Sequence, residues 1–163
     1  NNIVHDSYYL VDLFEKNQKS ITQLQVQKLM FLFEAFYMNV ADIESLYDCH
    51  FNAWTFGPVA IPLYKEYNKF GEYEIKLSEE QKKIGENIEP LKREILNRVY
   101  EAFGGLTSGQ LVDLTHMINS PWYETWMENG EHVIYGEKSY IDKLKTKKWF
   151  REKFIKDVGK SEQ

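Results

Sequence analysis

The sequence predicts a mainly α fold: a compact single-domain bundle of about seven to eight helices around a buried second helix, with at most a small strand pair. Three observations predict it. The helical period dominates, most cleanly in Ile84, Ile88, Leu91, Ile95, Val99 and Phe103, whose spacings are 4, 3, 4, 4 and 4. Helix start and stop signals recur between the apolar stretches. The run Leu29-Met30-Phe31-Leu32-Phe33 is apolar all round, as in a helix at the centre of a core.

The elements follow in order. Residues 3–16 place Val4, Tyr8, Val11 and Phe14 near one helical face, with Leu10 beside them. Ser20 and Gln23 form a capping box that opens a helix over about 21–40. Residues 50–57 partly alternate and read as extended, and Gly57 permits a turn. Pro58 suits the first position of a helix running to about Phe70, with Gly71 as its stop. Pro62 within the first turns argues for a later start. Residues 73–77 read as a short strand or an extended connector. Ser78 with Gln81 caps a short helix, Pro90 restarts the pattern, and Gly104-Gly105 ends it. Thr107 with Gln110 caps the next helix, Ser120-Pro121 starts another, and Asn129-Gly130 stops that one. Ser139 with Asp142 opens the last helix, which carries Ile141, Leu144, Phe150, Phe154 and Val158.

At 163 residues the chain is expected to be one domain, with a motif-bearing core over about 6–127 and a basic C-terminal helix over about 139–158. Its composition is that of ordinary soluble globular proteins. Aromatics reach 15%, enough to furnish both a core and an interface. The net charge of -5 argues against direct nucleic-acid binding. Residues 138–160 nevertheless hold nine Lys and Arg against three Asp and Glu, so a basic segment sits on an acidic body. Such a segment either steers a partner or forms a solvated or packed helix face, and the second reading is the commoner. Cys49 is the single cysteine, which excludes an internal disulfide and fits a reducing compartment. No signal-peptide pattern or membrane-length apolar run is present, so the cytoplasm is expected and no membrane partner is. The chain opens at Asn1 rather than at methionine, as expected if residues have been removed.

Residue patterns that carry chemistry are sparse in this chain. Cys49-His50 has no second ligand at zinc spacing, and no metal or cofactor is called for. A Cys49–His116 thiol–imidazole pair has no local support, and a lone cysteine is more often a small buried hydrophobe. Residues 104–109 are glycine-rich but follow a helix and lack the phosphate-loop ending. Glu79-Glu80 and the Glu124, Glu128 pair read as exposed helix faces. Two signatures remain: Ala53-Trp54-Thr55-Phe56-Gly57-Pro58-Val59, and Leu114-Thr115-His116 followed by Ser120-Pro121-Trp122. Both are read as helix starts beside a tryptophan. His116 is expected to lock the second turn through a hydrogen bond to a carbonyl or carboxylate rather than to contact a ligand. Trp54 and Trp122 read first as core anchors, although rigid aromatics beside turns also serve interfaces.

At these residues the chain resembles the Panacea, or SocA-like, antitoxin domain, also described as the phage-associated protein family. The resemblance rests on Leu24-Gln25-Val26-Gln27-Lys28-Leu29-Met30-Phe31, on Ala53 through Val59, on Pro62-Leu63-Tyr64, and on Leu111 through His116 with Pro121-Trp122. Four elements in order cover roughly residues 6–127. The resemblance marks Lys28, Leu29, Trp54, Gly57, Pro58, Tyr64, Thr115, His116, Pro121 and Trp122 as family-motif positions, structural or interfacial and not catalytic. It implies a bacterial or phage-encoded antitoxin that neutralises a cognate toxin by direct protein binding, with no enzymatic residues. A proteolytic adaptor that delivers the toxin to a protease is the alternative. An enzyme built on His116 and Thr115 with Asp113 or Glu124 is a weaker one.

Overall fold

The computed structural model describes residues 1–155. Among them are eight α-helices and one two-stranded antiparallel sheet. The helices are α1 (Ile3–Lys16), α2 (Gln23–Ala41), α3 (Ile61–Tyr67), α4 (Glu79–Glu86), α5 (Pro90–Phe103), α6 (Ser108–Thr115), α7 (Pro121–Glu128) and α8 (Lys143–Phe150). The strands β1 (Phe51–Trp54) and β2 (Gly57–Ala60) lie between α2 and α3.

The second helix is central, as its all-round apolar middle requires. Val26, Leu29, Met30, Leu32, Phe33, Ala35 and Met38 are all buried. Around α2 pack α1, α3, α5, α6, α8 and β2. Each fully buried Leu or Phe contributes roughly 1.5–3 kcal/mol, so this helix supplies the densest part of the apolar driving force. From α1 come Leu10, Val11 and Phe14, and from α5 Ile95, Leu96, Val99 and Phe103.

Polar groups are buried with partners. Asp6 on α1 meets the Lys92 ammonium of α5 at 3.0 Å and accepts from the Tyr47 hydroxyl at 2.6 Å. Glu34 on α2 accepts from the amides of Leu46 and Tyr47 and pairs with Lys143 at 2.9 Å. These networks tie the loop after α2 to three helices.

Several capping signals hold: Ser78 with Gln81, Thr107 with Gln110, and Ser120 with Pro121 all open helices. Two others are displaced. Thr22 with Gln25, not Ser20 with Gln23, opens α2, because the Ile21 carbonyl is held extended by the Ile75 amide. Residues 73–77, which supply that bond, form a connector rather than a strand. Asp142, not Ser139, caps α8. The Ile141 amide donates to the Phe51 carbonyl and keeps the chain extended beyond Ser139.

The largest correction concerns Pro58. It does not start a helix but lies in β2, opposite Ala53, while Phe51 pairs with Ala60 and Trp54 with Gly57. A two-strand ladder has no central strand, so the proline's missing N–H is tolerated. Helix α3 starts at Ile61 with Pro62 in its first turn, and it gives way to a 3₁₀ turn, Asn68–Phe70, before Gly71.

The basic segment docks on acidic partners: Lys143 on Glu34, Lys145 on Glu124 and Lys147 on Asp42. Helix α8 ends at Phe150 and continues as one wider turn, Arg151–Ile155. Leu144 is 55% exposed, because α8 turns Thr146 and Phe150 inward instead. Lys156, Asp157, Val158 and Lys160 lie outside the described residues.

Candidate interaction site

The hairpin is pinned to the central helix by two consecutive side chains. Gln27 donates to the Ala60 carbonyl at 3.1 Å and accepts from the Ala60 amide at 2.8 Å, standing in for a neighbouring strand. Lys28 donates to the Pro58 carbonyl at 3.3 Å. The Lys28 side chain is completely buried, and among the described residues it has no carboxylate partner. Burial alone pushes its ammonium down to about 7.

Gly57 makes this approach possible. Its φ is +112°, and a Cβ there would lie 2.7 Å from Lys28 Cε and 3.1 Å from Thr115 Oγ1. Glycine is therefore required by the turn, and a Cβ would also displace the end of the Lys28 stem. The hairpin thereby meets the end of α6.

From that end the chain turns sharply into α7. Thr115 Oγ1 donates back to the Leu111 carbonyl at 3.0 Å. Ser120 Oγ donates to the Thr115 carbonyl and accepts from the Tyr123 amide. Trp122 then reaches across and donates from Nε1 to the Trp54 carbonyl at 2.8 Å. His116 lies flat on Trp122, with ring centroids 3.7 Å apart and planes within 3°. The hydrogen bond expected of His116 does not form: its Nε2 is buried without a partner. Stacking takes its place. Burial and the nearby Lys28 charge both lower the His116 pKa, against a weaker pull from Asp113, so the ring is neutral at pH 7.

The structure thus gathers Lys28, Trp54, Gly57, Pro58, Thr115, His116, Pro121 and Trp122, spread over three sequence stretches, into one junction. Tyr64 joins it edge-on to Trp54 at 5.6 Å. Leu29 faces the core instead. Beside the junction opens a cavity of about 370 Å³, with Gln27, Lys28, Trp54, Val59 and Tyr64 in its wall. Phe56 at the hairpin tip and Tyr135 from the connector after α7 also line it, 64% and 80% exposed.

Gln27, Phe56 and Tyr135 were not singled out from the sequence. Phe56 sits inside a motif but between its marked positions. Tyr135 lies in a stretch with no periodicity, so nothing local places it 6.1 Å from Trp54.

The arrangement assembles neither a Cys49–His116 pair nor a site on His116, Thr115 and a carboxylate. Burial and Glu34 raise the Cys49 thiol, the opposite of activation. The Thr115 hydroxyl is engaged with the Leu111 and Val112 carbonyls rather than with His116. Glu124 pairs with Lys145. Among the described residues no three His, Cys, Asp or Glu side chains cluster as metal ligands, and no helix is long and apolar enough to cross a membrane.

Fold and site together define a mainly α domain in which a β-hairpin is clamped between a central helix and a helix–turn–helix, beside an aromatic cavity. The chain belongs to the antitoxin SocA-like, Panacea domain family, whose model matches residues 26–123, more than half of its length. The match encloses every motif residue from Lys28 to Trp122 and is narrower than the span of about 6–127 expected from the sequence. No curated protein and no solved structure matches the chain.

Proposed function

We propose that this chain is the antitoxin of a bacterial or phage toxin–antitoxin pair and neutralises its cognate toxin by direct protein binding in the cytoplasm. Family membership supports the class of function. The observation that carries the binding reading is the collar of exposed aromatics around the cavity, Phe56, Tyr64 and Tyr135. Exposed aromatics on a rigid frame are typical anchors of protein–protein contacts. The hairpin that presents Phe56 is fixed by Gln27, Lys28 and Trp122, so little ordering entropy opposes binding.

Co-expression with the toxin encoded beside this chain tests the proposal. The two proteins should co-purify and growth should be restored. Phe56→Asp and Tyr135→Asp should together abolish both effects while leaving the melting temperature within a few degrees. A toxin that never associates, or rescue that survives both substitutions, overturns the reading. Toxin abundance in the rescued cells separates sequestration, with toxin retained, from delivery to a protease, with toxin lost.

A further inference from the structure

Two buried polar groups on residues of the cavity wall lack adequate partners, and both are donors. Lys28 Nζ has a single carbonyl contact, at 3.3 Å, for its three hydrogens. Trp54 Nε1 is buried with no partner at all. A buried cation without a counter-charge is costly, and an orphaned indole N–H adds to that cost. Both residues belong to the wall of the same cavity, whose remaining lining includes Val59, Tyr64 and Tyr135. Its volume of about 370 Å³ falls within the range of small-molecule sites.

The chemistry of an occupant follows from these walls. Two donors call for an acceptor, and a lysine calls for an anionic one. The aromatic walls call for an apolar, preferably planar body. The flexible lysine stem lets Nζ swing from the Pro58 carbonyl towards the cavity. We infer that this cavity is a binding site for a small aromatic monocarboxylic acid, its carboxylate on Lys28 Nζ and Trp54 Nε1 and its ring among Trp54, Tyr64 and Tyr135. The site concerns the isolated chain and does not depend on the toxin reading.

Binding is then linked to protons. Lys28 must be charged to hold the carboxylate, and its free-state pKa is about 7. The other titratable groups near it are Tyr64 on α3 and Tyr135, which share the cavity wall, and His116 just past the end of α6, which feels its charge. His116 is held neutral, and its nearest charged influences are Lys28 itself and Asp113. Above pH 7 the acid should therefore bind with uptake of one proton by Lys28, and affinity should fall about tenfold per pH unit.

The test is titration calorimetry on the full chain with indole-3-acetate and 3-phenylpropionate, each beside its neutral amide. At least one acid should saturate a single site at pH 7, and its amide should bind at least about tenfold more weakly. Lys28→Met removes a buried charge and should fold, and it should bind acid and amide alike, without the pH dependence. Trp54→Phe should weaken the acid more than the amide. The inference is overturned if neither acid saturates, if acid and amide bind wild type equally, or if Lys28→Met retains both the acid preference and the proton uptake.

Discussion

His116 and Trp122 are stacked with their ring planes within 3° and their centroids 3.7 Å apart, and this contact joins the end of α6 to the start of α7. Trp122 in turn donates its indole N–H to the Trp54 carbonyl at the end of β1. The second signature therefore holds the first in place, and His116 acts through Trp122.

His116→Ala should lower stability by about 1 kcal/mol, the usual worth of an aromatic pair beyond its buried area. The neutral ring also predicts a pH effect. The folded pKa lies below that of the unfolded chain, so the unfolded state takes up the proton first. Stability is present above about pH 6.5 and is lost as pH falls. Urea unfolding at pH 7 and pH 5 should show a larger loss in wild type than in His116→Phe, which keeps a ring but cannot titrate.

Lys28 titrates near 7 in the fold and near 10.5 when unfolded. Between these values the unfolded chain binds more protons, so the lysine's contribution to stability rises with pH by up to about 1.4 kcal/mol per unit. Cys49 and the buried tyrosines act in the opposite sense at higher pH. The comparison is therefore cleanest between pH 7 and 8.5. Lys28→Met should raise stability at pH 7 by roughly 1–4 kcal/mol and flatten the slope in that window. An unchanged slope in chemical denaturation would show that the amine titrates normally.

Gly57→Ala should cost about 2 kcal/mol or more. The substitution forces a side chain to φ +112° and drives its Cβ against Lys28 Cε. Gly105→Ala provides the contrast, since its φ is not positive and a Cβ there meets nothing within 4 Å. Thermal unfolding should separate them, with a markedly larger drop for Gly57.

Lys92→Met should cost about 3–5 kcal/mol, because it leaves the buried Asp6 carboxylate without its counter-charge. The double substitution Asp6→Leu with Lys92→Met should recover most of that loss. Equal destabilisation in the single and double variants, measured by urea midpoint, would show that packing rather than charge sets the cost.

Much of the fold was legible because local rules and tertiary structure agree there. The caps at Ser78, Thr107 and Ser120 form because side chain and backbone partners lie within one turn of each other. The all-apolar middle of α2 is central because no orientation on a surface would bury it. The displaced caps share one cause. Ile21 and Ile141 are each held extended by a bond to a distant segment, Ile75 and Phe51, and a window of sequence does not contain those partners.

The sequence by itself determined a mainly α chain with a buried second helix, its principal helix starts and stops, and the family to which it belongs. Periodicity, capping and motif order are all local, so one sequence suffices for them. Only the tertiary structure decided that Pro58 lies in a hairpin, that Lys28 is buried behind Gly57, and that His116 stacks on Trp122 instead of hydrogen-bonding. It alone placed Phe56 and Tyr135 around a common cavity. The burial of Lys28 against Pro58 and the meeting of Tyr135 with Trp54 join residues far apart in the chain, and such contacts leave no trace in local pattern until the chain has folded.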